Sequence, residues 1–311
     1  MKKLIAGLIF ALIGSAALLY LSPAAQLASL QLIERQRAGL SLKQISVGDL
    51  NIHYYEGGPS SAQTILMVHG FAANKDNWLR FARHLSQDYR VIALDLPGFG
   101  ASSRPAGSYD VGTQTERLAS VIDALDIKPL HLIGNSMGGH ISALYAARYP
   151  DKVLSLALLD NAGITAPQPS ELLQRLQRGE ANPLVVRNVE DFQRLLAFIF
   201  VEPPYLPESL KGYLAEQASA NSAHHDQVFQ HLVERYIPLE PELPRIQAPT
   251  LILWGAEDRA LHVSSVDVMR PLLRKPSVVI MPQTGHAPMI ERPQQTAEHY
   301  RAFLQAQKPG A

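Results

Sequence analysis

The run Leu130-His131-Leu132-Ile133-Gly134-Asn135-Ser136-Met137-Gly138-Gly139-His140 constrains the fold of this chain more than any other stretch. A short apolar segment ends in Gly-Asn-Ser-Met-Gly, and a helix-compatible run over residues 141–148 follows. That order reads as strand, sharp turn and helix, with a serine at the apex. A Gly-x-Ser-x-Gly pattern alone matches by chance in about one chain in ten of this length, so the flanking elements carry the information. Glycines on both sides of Ser136 let the backbone turn tightly and relieve the clash between strand and helix. The serine can then be held in a strained conformation with its Oγ exposed above a sheet. The alternative is an ordinary glycine-rich turn, and the choice depends on whether a base, an acid and an oxyanion site occur elsewhere.

The surrounding pattern supplies the sheet. Residues 64–68, 89–94, 130–133, 154–159, 250–254 and 277–281 are short apolar runs. Helical patterns at 78–85, 113–125, 264–273 and 294–305 alternate with them, which predicts an α/β fold with a mostly parallel sheet covered on both faces. In such sheets sites lie at the carboxyl ends of strands, where His69, Asp95, Ser136 and Asp160 fall. An opening β-hairpin is expected over 45–55, around Gly48-Asp49. The alternation breaks between Ala162 and Pro244, where helical runs at 170–178 and 191–200 are punctuated by prolines. A helical insertion between two sheet strands is expected to lie over the strand ends as a cap. The expected organisation is therefore an N-terminal anchor or signal segment (1–24), a helical stalk (25–44), a first core part (45–161), a cap (162–244) and a second core part (245–311).

Composition narrows the chemistry. The chain of 311 residues carries 28 Lys+Arg against 28 Asp+Glu, which gives no electrostatic reason to expect a nucleic-acid partner. It contains no cysteine, so disulfides, thiolate metal sites and cysteine nucleophiles are excluded. Lys2 and Lys3 precede an uncharged, mostly apolar run over residues 4–21. As a helix this run spans about 27 Å, close to the roughly 30 Å hydrocarbon core of a bilayer. It fits an uncleaved anchor with the two lysines on the cytoplasmic side, or a signal peptide cut near Ser22-Pro23-Ala24. Either reading places the remaining chain outside the cytoplasm, membrane-anchored and facing the periplasm or exterior, or secreted.

A serine nucleophile needs a base oriented by an acid. Among 11 histidines, His286 stands out because it follows the last strand in a Gly-His-Ala-Pro loop near the C-terminus. Asp258, in Gly-Ala-Glu-Asp-Arg directly after a strand, is the favoured acid, and Asp160 at the end of the preceding strand is its competitor. Glu257 is expected to point elsewhere. The oxyanion requires main-chain N–H donors, one from Met137 and the other from the loop after His69, at Phe71. His69 itself suits a role in tying that loop down. Apolar residues of the 162–244 stretch, including Phe192, Phe198 and Phe200, are candidates for an acyl pocket or for simple packing. The pair His224-His225 does not share a helix face and is expected to be a solvated polar turn. No metal site, phosphate loop or dinucleotide fingerprint is legible, and no cofactor is expected.

Five segments occur in the order and spacing of a known superfamily: HGFAANKDNW (69–78), DLPGFGASS (95–103), GNSMGGHIS (134–142), LWGAEDR (253–259) and GHAPMIERP (285–293). Together they resemble the α/β-hydrolases, over about residues 45–305, and within these the bacterial family V lipases and esterases. The membrane-anchored monoacylglycerol lipases of animals are also similar. The resemblance implies an eight-stranded, mostly parallel sheet with a helical cap. It implies Ser136 as nucleophile, Asp258 as acid and His286 as base, with Phe71 and Met137 as oxyanion donors. Phe71, Phe198 and Phe200 become candidates for contact with a small-molecule or lipid ester. The implied reaction is hydrolysis of acylglycerols or other short-to-medium-chain acyl esters through an acyl-enzyme. Carbon–carbon hydrolases of ring-cleavage products also carry GNSMGG, but their oxyanion loop is longer and richer in glycine. A non-catalytic binding protein of the same fold is the third reading, and such proteins usually lose a triad member.

Overall fold

The computed structural model describes residues 22–127 and 129–307, together with Gly14. Its centre is one sheet of eight strands: β1 (Leu40–Val47), β2 (Leu50–Gly57), β3 (Thr64–Val68), β4 (Arg90–Leu94), β5 (Leu130–Asn135), β6 (Val153–Leu159), β7 (Thr250–Gly255) and β8 (Pro276–Met281). Their spatial order is β1-β2-β4-β3-β5-β6-β7-β8. β1 and β2 form an antiparallel hairpin around Gly48-Asp49, and β2 runs antiparallel to β4. From β4 to β8 every neighbouring pair is parallel.

The central strands read as unbroken apolar runs because both faces are covered. Leu66, Val68, Leu132, Leu156 and Leu158 pack on one face against the helices Val111–Ala124 and Met137–Arg148. Ile65, Met67, Ile133, Ala157 and Leu159 pack on the other, against Leu79–Ala82 and Pro293–Gln305. β5 is buried along its whole length. Four helices, Glu171–Gln177, Val189–Ile199, Glu208–Ala220 and Ser222–Glu234, are inserted between β6 and β7. Local chemistry starts two of them. The Ser170 side chain accepts from the Leu173 N–H, and the Asn188 side chain accepts from the Asp191 N–H, each satisfying an otherwise unpaired first-turn donor.

The amino-terminal region differs from the expected boundaries. The helix spans Pro23–Arg37, none of its residues is buried, and β1 begins at Leu40 rather than at residue 45. Gly39, at φ 63°, breaks the helix where a residue with a Cβ would be strained. The strand was hidden because β1 is an edge strand with only Leu40 fully buried, so its apolar alternation is faint. Among the described residues no helix is long and apolar enough to cross a membrane. The apolar run at 4–21, and the proposed cleavage or anchoring there, lies almost wholly outside the described residues.

Candidate active site at the carboxyl edge of the sheet

Ser136 immediately follows β5 and precedes the helix Met137–Arg148, with φ 57° and ψ −122°. This is a conformation that costs a non-glycine residue of order 1–3 kcal/mol, so the surroundings must hold it in place. The Ser136 N–H donates to Leu159 C=O at 3.0 Å, and Ser136 C=O accepts from His140 and Ala162. The flanking glycines are dictated by space. A Cβ on Gly134 would lie 2.3 Å from Gly138 O, and one on Gly138 would lie 2.2 Å from Val68 O. Strand, turn and helix can therefore approach this closely only without those side chains.

The loop after β3 passes beside the serine, since a Cβ on Gly70 would sit 3.1 Å from Ser136 Cβ. Two buried devices fix that loop. His69 Nδ1 donates to Gly70 C=O at 2.8 Å, and its Nε2 accepts from the Leu96 N–H at 3.0 Å. Burial drives the His69 pKa below its usual value, which keeps the ring neutral and suited to that acceptor role. Lys75 Nζ meets Asp95 Oδ2 at 2.7 Å with the carboxylate fully buried, and the Lys75 N–H donates to Oδ1 at 2.8 Å. The Phe71 N–H and the first N–H of the helix, at Met137, are thereby carried on elements that converge on Ser136.

His286 sits in the loop after β8, where its Nδ1 donates to Asp258 Oδ2 at 2.8 Å. The other Asp258 oxygen accepts from the N–H groups of Ala260 (2.8 Å) and Leu261 (3.0 Å), so the carboxylate is held at both ends. Glu257 is turned away, accepting from the Thr284 N–H at 3.0 Å. The His286 loop is tied to the serine turn by Asn135, whose Nδ2 donates to His286 C=O at 3.0 Å. The inserted helices hold it as well, because the His286 N–H donates to Ile199 C=O at 2.8 Å. Asn135 and Lys75 are therefore functional supports that sequence reasoning missed. Asn135 lies within the quoted motif, yet nothing in one sequence shows that its amide reaches a loop 151 residues away.

Asp160, the competing acid, ends beside the same pair. Among the described residues, one oxygen of each carboxyl and one ring nitrogen of His286 lie within 4.8 Å of one another. Three such groups could also suggest a cation site. However, both Asp258 oxygens are already engaged by N–H donors, which is the donor set of a hydrogen-bonded pair.

Ser136 and His286 line one cavity of about 630 Å³, within the usual range for small-molecule sites. Its apolar wall includes Phe192, Leu195, Leu196, Ile199, Phe200 and Leu214 from the insertion, and Phe71 faces it from the β3 loop. Phe198 does not line it. That ring is buried beneath the guanidinium groups of Arg175 and Arg259, at 5.7 and 5.0 Å, because one residue's step along the helix turns it about 100° away from Ile199. The expected polar turn at His224-His225 is also corrected, since both lie in the helix Ser222–Glu234. His224 Nε2–H donates to Gly98 C=O at 2.8 Å, and His225 packs edge-on to Phe71 at 5.8 Å. Burial, followed by His224 and Arg104, lowers the His225 pKa to about 4.

With this geometry in place, the family can be stated. Residues 63–293 match the α/β hydrolase fold model, and the chain belongs to that family. Lipase 1 of Psychrobacter immobilis is 35% identical over 283 residues, 88% of each chain. Monoacylglycerol lipase abhd6-B of Xenopus laevis is 32% identical, covering 87% of this chain and 84% of that one. A crystal structure of a membrane phospholipase A, described as a novel bacterial virulence factor, aligns over 100% of both chains at 58% identity with a TM-score of 0.92. The chain is thus a carboxylic ester hydrolase of the lipase and esterase kind. A meta-cleavage product hydrolase from Pseudomonas fluorescens aligns at 22% identity and TM-score 0.74, a likeness of fold alone.

Proposed function

We propose that this chain hydrolyses lipid carboxylic esters, glycerophospholipids and acylglycerols among them, by a serine mechanism. The observation that carries the reading is the Asp258–His286 pair, hydrogen-bonded at 2.8 Å and opening with Ser136 onto a cavity whose wall is apolar. His286 takes the Ser136 proton as Oγ attacks the ester carbonyl, and Asp258 holds the imidazole tautomer and stabilises the imidazolium. The Phe71 and Met137 N–H groups receive the oxyanion, each such donor being worth about 2.7–4 kcal/mol in a well-studied hydrolase. His286 then passes the proton to the leaving alcohol, and water returns the acyl-enzyme to the free serine as the fatty acid departs.

The inserted helices act as the cap and supply the acyl wall. Similarity to a membrane phospholipase A at 58% identity and to lipases supports a lipid substrate. A membrane location is supported by the same likeness and by the apolar run at 4–21, retained as an anchor. Gln31, on the helix that follows this run, lines the cavity, so the site lies beside the chain's connection to that segment. No particular observation favours carbon–carbon bond hydrolysis.

The test is hydrolysis of p-nitrophenyl esters from acetate to palmitate and of phosphatidylcholine vesicles, with Ser136→Ala alongside. Turnover dependent on Ser136 in both assays is expected. Ester turnover without fatty-acid release from vesicles would restrict the protein to soluble esters, and the absence of both, with no fluorophosphonate labelling of Ser136, would overturn the reading.

A further inference from the structure

Two aspartates converge on His286, and their environments are unequal. Asp258 accepts three hydrogen bonds, two from backbone N–H groups and one from the imidazole. Asp160 is fully buried, follows β6 with φ 44°, and receives one N–H, from Gly255 at 2.8 Å on Oδ1. Its Oδ2 is buried and has no donor directed at it, and one oxygen of the Asp160 carboxyl lies within 4.8 Å of one oxygen of Asp258. Two adjacent carboxylates withdrawn from water do not both ionise; the one with fewer donors keeps a proton. A proton on Asp160 Oδ2 also removes the only unsatisfied polar atom of that side chain, because the Asp258 carboxylate is there to accept it.

We propose that Asp160 is a positioning residue, held as the neutral acid and donating its Oδ2 proton in a hydrogen bond to Asp258, so that a single negative charge serves His286. The proposal rests on the Asp258–His286 reading given above. Every ionisable group facing Asp160 agrees with it. Asp258 comes from the loop after β7, His286 from the loop after β8, and Glu291 from the short helix Pro288–Glu291. Glu291 is committed to the N–H groups of Val201, Glu202 and Gly285. Burial first, and the Asp258 charge second, push the Asp160 carboxyl well above the usual carboxylate range. The consequence is chemical. An ionised Asp160 would add a second charge beside the imidazolium and raise the basicity of His286, prolonging protonation of the base. A neutral donor steadies Asp258 without that effect.

The deciding experiment measures kcat/KM against pH on a soluble ester for the full-length chain and for Asp160→Asn, Asp160→Ala and Asp258→Asn. An asparagine at 160 can still accept from Gly255 and donate to Asp258. Asp160→Asn is therefore expected to stay within about threefold of the parent with its acid limb unmoved, while Asp160→Ala moves that limb to higher pH as Asp258 loses its donor. A shift of the acid limb to lower pH by about one unit or more in Asp160→Asn would mean that a real negative charge had been removed, and would overturn the proposal. A parent-like profile in Asp160→Ala would reduce Asp160 to a structural residue and overturn it as well. Because the Asn variant could fail to fold, infrared spectroscopy of the parent protein provides a second test. A C=O stretching band of a buried protonated carboxylic acid at neutral pH supports the proposal, and its absence refutes it. Retained activity in Asp258→Asn with loss in Asp160→Asn would instead overturn the acid assignment itself, which keeps the two failures distinct.

Discussion

Two serine–histidine pairs lie along β5, at opposite ends of the strand. At the amino end, His131 Nδ1 and Ser155 Oγ are hydrogen-bonded at 2.8 Å between β5 and its neighbour β6, and the other ring nitrogen meets the Gln63 side-chain oxygen at 3.2 Å. At the carboxyl end, Ser136 and His286 open on the cavity, with Asp258 behind the imidazole. Residue types are the same, and the environments are not. Burial alone pushes His131 down to about 4, with no carboxylate to favour its charged form, so it is a poor proton acceptor at neutral pH. Ser155 is completely buried in regular strand geometry, whereas Ser136 is only partly buried and sits at a strained turn. A close Ser–His contact therefore also occurs where the chain offers neither access nor a carboxylate behind the ring. Access to the cavity and a carboxylate partner for the imidazole distinguish the two places.

Exchange at the serines should break the symmetry most sharply. Ser136→Ala is expected to lower kcat by at least about 10⁴-fold, by analogy with other serine hydrolases. Ser155→Ala should leave kcat within a few-fold and cost roughly 1–3 kcal/mol of stability, since it removes the hydroxyl that donates to His131 Nδ1 and leaves that nitrogen without a partner in the core. Comparable losses of activity in the two variants would undo the distinction. Next in size is the acid: Asp258→Asn should reduce kcat by about 10³–10⁴-fold by presenting the wrong imidazole tautomer, read in the same p-nitrophenyl ester assay.

A third change sharpens the contrast between an end held by buried charge and one held by neutral contacts. Lys75→Met leaves the fully buried Asp95 unpaired and should cost about 3–5 kcal/mol in denaturant unfolding. An unchanged midpoint would mean the pair contributes nothing to the loop beside Ser136.

The smallest effect concerns pH at the amino end. The folded pKa of His131 is depressed to about 4 from its ordinary 6.5. Its contribution is fully present above pH 6.5 and is lost as pH falls towards 4, because the unfolded chain takes up the proton first. Replacing His131 with Asn should flatten stability between pH 6.5 and 4, relieving a slope of up to about 1.4 kcal/mol per unit. Fully buried His140, also lowered to about 4 by burial, preserves part of the slope. Parallel stability–pH curves for the two proteins would show that His131 is not titrating in that window.

Much of this arrangement was legible in the chain. Apolar runs with intervening helical patterns marked the sheet, and Gly134, Ser136 and Gly138 marked the turn, because these depend on neighbours within a few residues. Phe198 was misread for a physical reason: burial along a helix shows that a ring is packed, but not whether it packs on substrate or under Arg175 and Arg259. The histidines at 224 and 225 looked polar and solvated until Phe71, Phe99 and Tyr109, from distant loops, were placed against them.

The sequence by itself determined the alternation of strand and helix, the serine turn and the set of residues able to act as base and acid, since each follows from local stereochemistry or side-chain type. Only the tertiary structure decided which aspartate holds His286 and which stands behind it. That choice depends on how many N–H donors reach each carboxylate and how far each is withdrawn from water, and those are properties of loops brought together from β6, β7 and β8.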